Sequence, residues 1–299
     1  MATKERYDFR QSPFFRLSSR KRAAELLAFD LADVDSLVGE GSYHVFVNDK
    51  GRTIQHPQGA LSVVHKKIAT LLARLAAPSY VRSVKGESYI SNTGAHCGRV
   101  PLIKTDISKF YPSTKFSAVY DLFHRRFECS PDVAYLLATL SCFKGKHLPT
   151  GSYLSGSLAF FSHEEMFQQI HDLAVSHGCQ MTCYVDDIVI SGERATKALL
   201  YQVRGVVRKH GLSTKDDKSK TFSAHKPKIV TGVVLSADGL RLPNSRHKMI
   251  HETRKALRLR MPDAERTPLL ASLRGRLQEA KQIETWNADH SPALKTGSQ

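Results

Sequence analysis

Two successive aspartates, Asp186 and Asp187, lie between apolar runs in Cys183-Tyr184-Val185-Asp186-Asp187-Ile188-Val189-Ile190. A hairpin turn is the place where such a pair can project from a sheet whose strands are apolar on either side. Two like charges held there are costly unless a cation compensates them. An Asp-Asp turn is also common in solvated hairpins, so the pair alone leaves both readings open. A third carboxylate, Asp106, ends another apolar run, Leu102-Ile103-Lys104-Thr105-Asp106. It precedes Asp186 by 80 residues (186 − 106), room for crossover helices between neighbours in one sheet. Two-metal phosphoryl transfer needs hard oxygen ligands clustered on a rigid platform. One ion would lower the pKa of an attacking hydroxyl, and the other would neutralise a triphosphate and its leaving pyrophosphate. Asp106 and Asp186 are expected to bridge both ions, with the Ile107 carbonyl helping on the triphosphate side.

Such carboxylates need a sheet to carry them and helices to brace it. Ser19 to Phe29 reads as a helix rich in Arg and Lys. Tyr43 to Val47 alternates like a strand, Asn48-Asp49-Lys50-Gly51 is turn chemistry, and Arg52 to Gln55 reads as the returning strand of a basic hairpin. Pro57 and Gly59 break the chain, and from Leu61 the positions Val64, Ile68, Leu71, Leu72 and Leu75 recur at helical spacing. Residues 100–107 form a short strand. Ser113 is expected to cap a helix running to about Phe127, with Phe116, Val119, Leu122 and Phe123 inward. Pro131 to Phe143 reads as another helix. A Gly- and Ser-bearing loop at 149–156 leads into a long helix ending near Gly178, with His163, His171 and His177 on solvated faces.

Met181 to Ser191 then reads as strand, two-Asp turn and strand, and Ala195 to His210 as a helix. Ile229 to Leu235 reads as a strand. Thr267-Pro268 starts a last helix whose apolar face is Leu269, Leu270, Leu273 and Leu277, and the final ten residues are expected to fray. The order predicts an α+β fold with a largely antiparallel sheet.

Charge narrows the partner. The 299 residues include 44 Lys and Arg against 28 Asp and Glu, a formal net charge of +16. No apolar amphipathic anchor accompanies that excess, so a polyanion such as nucleic acid fits better than a membrane surface. No run of about 18 apolar residues exists, and the first residues lack an apolar secretion signal, so no membrane partner is expected. The five cysteines form no C-x-x-C pair, which argues against a zinc site or disulfide framework and fits free thiols in a reducing cytoplasm.

These residues resemble a known family. Asp106-Ile107-Ser108-Lys109-Phe110-Tyr111-Pro112 followed by Tyr184-Val185-Asp186-Asp187 is similar to the palm of reverse transcriptases, with its Y-x-D-D box. Leu148-Pro149-Thr150-Gly151-Ser152 resembles the family's L-P-Q-G-[SA] segment, and Gly211 to Lys218 resembles the lysine-bearing segment downstream. Ser88-Tyr89-Ile90-Ser91-Asn92-Thr93-Gly94-Ala95-His96 resembles the S-I-x-x-N-A-x-x-H element of bacterial retron-type enzymes, with Tyr89 and Thr93 departing from it. Val230-Thr231-Gly232 matches their V-T-G element. The resemblance covers roughly residues 40–285.

It implies a right-hand polymerase. Residues 1–100 would be the N-terminal region and fingers. Residues 101–235 would be a palm with an antiparallel sheet, the catalytic carboxylates and inserted fingers helices. Residues 236–299 would be a small helical thumb and tail. Asp106, Asp186 and Asp187 would be catalytic, and with Ile107 would hold two Mg2+ ions. Arg52, Tyr111, Thr150, Gly151 and Lys218 would contact the dNTP substrate, Tyr111 as the steric gate against a ribose 2′-hydroxyl. Thr150 stands where the family has glutamine, which puts that contact in doubt. Asn92, His96, Val230, Thr231, Gly232, Arg254, Arg258, Arg274 and Arg276 would bind RNA.

The activity implied is RNA-directed DNA synthesis. The chain would copy part of a cognate structured non-coding RNA into an RNA–DNA product, with an effector protein in anti-phage defence. Two alternatives stand beside it. One is another defence-associated reverse transcriptase with different priming or template. The other is a non-catalytic RNA-binding scaffold, against which the intact aspartates argue.

Overall fold

A computed structural model of the chain describes residues 6–236 and 239–296, with side chains described as far as His290. In chain order the helices and strands are α1 Arg20–Leu27, α2 Val34–Val38, β1 Tyr43–Val47, β2 Thr53–Pro57, α3 Gly59–Leu72, α4 Tyr89–Gly94, β3 Leu102–Asp106, α5 Phe110–Ser113, α6 Phe116–Asp121, α7 Pro131–Ser141, α8 Ser155–Ser162 and α9 Glu164–Ser176. There follow β4 Gln180–Tyr184, β5 Asp187–Ser191, α10 Lys197–Lys209, β6 Lys220–Phe222, β7 Lys228–Val230, β8 Val233–Ser236, β9 Gly239–Arg241, α11 Asn244–Ala256 and α12 Asp263–Thr296. The mixture of helices and antiparallel sheets is the α+β class expected.

The chain divides into two compact units, each discontinuous in sequence. The first takes residues up to Pro78, Ile107–Gln169 and Val206–Ser213; the second takes Ser79–Asp106, Ile170–Gly205 and the chain from Thr214.

The first unit is built on aromatic packing. Phe14, Phe123 and Phe127 are fully buried, with ring centroids 5.5–5.7 Å apart. Such pairs add to the area they bury. Leu61, Val64, Ile68 and Leu72 of α3 are buried at the predicted helical spacing. The β1–β2 hairpin pairs Tyr43 with Pro57 through to Val47 with Thr53. Its turn is closed by Asn48, whose Oδ1 accepts from the Lys50 and Arg52 N–H groups at 3.0 Å, while Gly51 supplies a positive φ of 69°.

The second unit holds a four-stranded antiparallel sheet in the order β4-β5-β3-β6 and a three-stranded sheet, β7-β8-β9. Leu102 and Val189 from the first sheet, Val230, Val233, Leu235 and Leu240 from the second, Ile90 of α4, Ile250 of α11 and Ile283 of α12 form one buried cluster. Helix α12 also completes an edge strand. The Asn287 side chain accepts from the Leu240 N–H at 2.9 Å and donates to its carbonyl at 2.8 Å, as a neighbouring peptide group would. Trp286 lies against Gly94 so closely that a Cβ at that position would overlap its ring.

Several predicted elements differ. Ser113 does not cap a helix; it ends α5, and α6 starts at Phe116 and passes into a π-helical turn, Leu122–Arg126. The long helix before Gly178 is broken at His163 into α8 and α9. Nor are its histidines on solvated faces. His163 is largely buried near Phe110 and His210, and burial pushes it down to about 4. The His171 ring stacks on Tyr80 at 4.7 Å, and His177 Nδ1 lies 2.9 Å from the Leu173 carbonyl. The single strand expected over 229–235 is two strands. Thr231 (φ 42°) and Gly232 (φ 85°) make a two-residue hairpin turn, where positive φ at both positions suits the right-handed strand twist. The last helix starts at Asp263, before Thr267-Pro268, and runs to Thr296 rather than fraying over its last ten residues; 297–299 lie outside the described residues.

Candidate active site

The second unit brings the three aspartates to one end of its four-stranded sheet. Strands β4 and β5 pair from Gln180 with Ser191 to Tyr184 with Asp187, so Val185 and Asp186 alone form the turn. Asp187 is thus the first residue of β5 rather than a turn residue. It stands directly opposite Asp106 at the end of β3. Side chains of directly opposed residues lie on one face of a sheet about 5 Å apart. Like charges in that position repel.

Val185 takes φ 59°, a conformation that β-branched residues rarely adopt. Positive φ at the first central residue only is the pattern that glycine usually fills in a II′ turn. Strained backbone of this kind collects at functional sites.

Electrostatics reflect the crowding. Burial, and then the Asp106 charge, push the Asp186 carboxyl above the usual range. Burial lifts Asp187 to about 6, with Asp106 adding to the rise and Lys104, Lys215 and Lys218 opposing it. The Lys215 ammonium answers part of this charge. It bonds Asp106 Oδ1 and lies 4.0 Å from Asp186 Oδ2. Lys218 is exposed on the same segment.

The donor set suits a hard divalent cation: three carboxylates from adjacent strand ends, all oxygen, crowded enough to need positive charge. Among the described residues no three Asp, Glu, His or Cys side chains are already placed as a set that could hold a metal ion, and the present partner of Asp106 is the Lys215 ammonium.

The hairpin is braced from behind. Fully buried His96 has Nε2 2.7 Å from Thr182 Oγ1 on β4 and Nδ1 2.7 Å from Ser191 Oγ on β5. On the other side of β4, the Cys183 N–H donates to the Tyr80 carbonyl at 2.7 Å, and the Arg82 N–H to the Cys183 carbonyl at 2.8 Å. Thr93 Oγ1 donates to the Val230 carbonyl at 3.0 Å and lies 3.1 Å from Thr231 Oγ1, while Asn92 Nδ2 donates to Thr231 Oγ1 at 3.3 Å.

This corrects part of the RNA-binding expectation. Asn92, His96 and Val230 have at most 1% of their surface exposed, which leaves RNA nothing to touch. Their motif ties α4 to the β7–β8 turn and to the aspartate hairpin. Thr231 is half-buried and Gly232 exposed at that turn, and Arg254 on α11, Arg258 in the connection that follows it and Arg274 on α12 are exposed. The Arg276 guanidinium turns inward and donates to Thr253 Oγ1 at 2.7 Å.

The remaining candidates lie in the first unit. Arg52 follows the β1–β2 turn and is exposed. Gln55 on β2 holds the Leu148–Ser152 segment: its N–H donates to the Thr150 carbonyl at 2.6 Å, and its side-chain oxygen accepts from the Thr150 N–H at 2.7 Å. Gly151 takes φ 111°, and a Cβ there would meet Ile54 at 2.7 Å, so the close approach to β2 requires glycine. His65 lies 2.7 Å from Ser152 Oγ and 2.7 Å from the Leu140 carbonyl. Tyr111 is half-buried in α5 beside Phe110. Residue types and spacing do not single out Lys215, Lys104, Gln55 or His65. Only Lys215 leaves a trace in the sequence, as a basic residue three positions before Lys218.

A family model described as reverse transcriptase (RNA-dependent DNA polymerase) matches residues 47–249. Among curated relatives, the Retron Se72 reverse transcriptase of Salmonella heidelberg (strain 579083-10) is 28% identical over 222 residues, 71% of this chain and 56% of that protein. The Retron Ec86 reverse transcriptase of Escherichia coli is 24% identical over 203 residues, 67% of this chain and 63% of the relative. The Retron Mx162 reverse transcriptase of Myxococcus xanthus is 26% identical over 226 residues, 65% of this chain and 46% of the relative. The chain thus spans 46–63% of the length of these relatives. The retron-type resemblance noted from the motifs is borne out by these matches.

Buried His96 also yields a pH prediction. Burial holds its imidazole neutral, at about 3 against the ordinary 6.5. The unfolded chain takes up a proton below 6.5 that the folded chain refuses until about 3, so stability is lost as pH falls through that window. In urea unfolding, His96→Gln should make that fall shallower by about 1.4 kcal/mol per pH unit. An unchanged slope would mean that the folded chain holds a charged imidazole.

Proposed function

The chain belongs to the reverse transcriptase (RNA-dependent DNA polymerase) family, and from that premise we propose that it adds deoxynucleotides to a primer on an RNA template. The observation that carries the proposal is the Asp106–Asp187 pairing beside Asp186, three carboxylates crowded at one sheet end. In this reading Asp106, Asp186 and Asp187, with the Ile107 carbonyl, hold two Mg2+ ions. The ions, when bound, supply charge neutralisation and a more acidic primer hydroxyl.

The chain's own residues orient and select. Asp106 and Asp186 fix where the primer end and the triphosphate converge. Arg52 and Lys218 are the cations for the triphosphate. Thr150 and Gly151 lie in a segment anchored to β2 through the Thr150 backbone, and in this reading they flank the nucleotide. Tyr111 supplies the ring that excludes a ribose 2′-hydroxyl. The names of the retron reverse transcriptase relatives support the retron type; in this reading the template is part of a cognate structured RNA, with an effector protein and an anti-phage role as the setting. Residues 1–100, 101–235 and 236–299 take the fingers, palm and thumb roles in sequence order.

The exposed Arg254, Arg258 and Arg274 and the Thr231–Gly232 turn form the RNA-facing part of the second unit in this reading. Phosphate contacts give affinity, while selectivity comes from RNA shape, unstacked bases and 2′-hydroxyls. Among the described residues no helix is long and apolar enough to cross a membrane. All five cysteines are free, which suits a reducing cytoplasm.

The test is primer extension on RNA with Mg2+. Asp186→Asn should reduce extension by at least about a hundredfold, as loss of a charge-stabilising group does, with RNA binding retained. Near-normal extension by the folded variant would refute the assignment. In the same assay Tyr111→Ala should raise ribonucleotide use relative to deoxynucleotide use; an unchanged ratio would put the gate elsewhere. For the RNA partner, co-purified RNA should outcompete unrelated structured RNA and RNA–DNA duplex. Affinity should fall by roughly 0.7–0.9 log units per phosphate contact per log unit of salt. Equal binding of all three at every salt concentration would leave a generic clamp in place of a cognate RNA site.

A further inference from the structure

Lys215 holds a position that the polymerase reading does not use. Its ammonium bonds Asp106 Oδ1 and stands 4.0 Å from Asp186 Oδ2, between the two carboxylates assigned to share metal ions. It is not a loose surface side chain, being only 27% exposed. Its N–H donates to the Asp106 carbonyl at 2.9 Å. Its own carbonyl accepts from the Ser219 N–H at 3.0 Å and from the Ser219 hydroxyl at 2.7 Å. Ser219 Oγ in turn lies 2.8 Å from Thr105 Oγ1 on β3. The lysine backbone is thus fixed to the strand that carries Asp106, and the stem delivers its charge to one place.

An ammonium is a point charge with three donors on a flexible four-carbon stem. It can compensate two carboxylates, but it cannot share their oxygens with a divalent ion at bonding distance. Two cations in one half-buried site also repel each other strongly. We propose that Lys215 is a built-in competitor of the metal. Its ammonium and a divalent cation claim the same space between Asp106 and Asp186. Cation entry requires the lysine to swing aside, and the lysine thereby sets the metal concentration that the site needs. The same contact keeps the carboxylates together in the cation-free chain. The inference rests on the metal-site reading above and deepens it.

The experiment uses the full chain, stripped of metal and free of nucleic acid, and reads the rise in melting temperature as Mg2+ is added. Lys215→Met should lower the Mg2+ midpoint about tenfold, because the competing charge is gone. Lys104→Met removes a charge that acts on Asp187 without a contact between the carboxylates, and should shift the midpoint clearly less. An unchanged or higher midpoint for Lys215→Met would overturn the inference, as would equal shifts for the two variants, which would indicate general charge alone. Amine-reactive labelling of the unmutated chain, mapped by mass spectrometry, decides the matter if Lys215→Met does not fold. Mg2+ should raise labelling of Lys215 severalfold while Lys104 stays constant; unchanged Lys215 labelling at saturating Mg2+ would overturn it. Neither readout depends on DNA synthesis. A tighter Mg2+ midpoint in a chain that makes no DNA would uphold the competitor and reject the polymerase.

Discussion

Repulsion among three carboxylates at one sheet end is the constraint around which the second unit is organised. Asp106 and Asp187 are brought opposite each other by strand register, and the turn adds Asp186 beside them. Burial raises the cost of charge on the latter two. A fold selected for stability alone would replace such a group with neutral residues. Keeping it requires compensation: the Lys215 ammonium supplies one kind, and in the proposed function a divalent cation would supply the other. It also requires that the strands not yield. A sheet end that could splay would relieve the repulsion and lose the site.

The bracing around the hairpin meets that requirement. His96 bonds both strands of the hairpin from a buried position and so fixes β4 against β5. The segment from Tyr80 to Arg82 pairs with Cys183, two residues before the strained Val185. Helix α4 ends two residues before His96 and, through Asn92 and Thr93, is tied to the Thr231–Gly232 turn. Trp286 of α12 rests on Gly94 of the same helix. One short helix therefore links the aspartate hairpin, the second sheet and the last helix, so the buried motif acts through the packing of this unit.

The chemistry-bearing residues are the legible part of the sequence. The spacing of Asp106, Asp186 and Asp187, and their place at the ends of apolar runs, are enough to point to one sheet end. The β1–β2 hairpin is readable because Asn48 and Gly51 are turn residues with a local mechanism. What local pattern does not supply is tertiary. Periodicity runs α8 and α9 together because the break at His163 depends on its burial. The strand over 229–235 hides a turn because threonine is not an expected residue at positive φ, and its bonds to Thr93 and to the Tyr89 carbonyl, both on α4, brace it there. Histidines at 163, 171 and 177 look solvated because helical spacing does not say which neighbour covers a face. Lys218 draws the eye before Lys215, since which of two lysines reaches a carboxylate depends on how the loop is tied to β3.

In the proposed function Asp106 and Asp186 together cradle a divalent cation. The most direct test of this is anomalous X-ray scattering from crystals of the chain soaked in Mn2+ with a deoxynucleoside triphosphate. Anomalous density bonded to the carboxylates of both Asp106 and Asp186 is expected, with the Lys215 ammonium displaced from between them. Manganese bound elsewhere, with Lys215 still bridging Asp106 and Asp186, would contradict it.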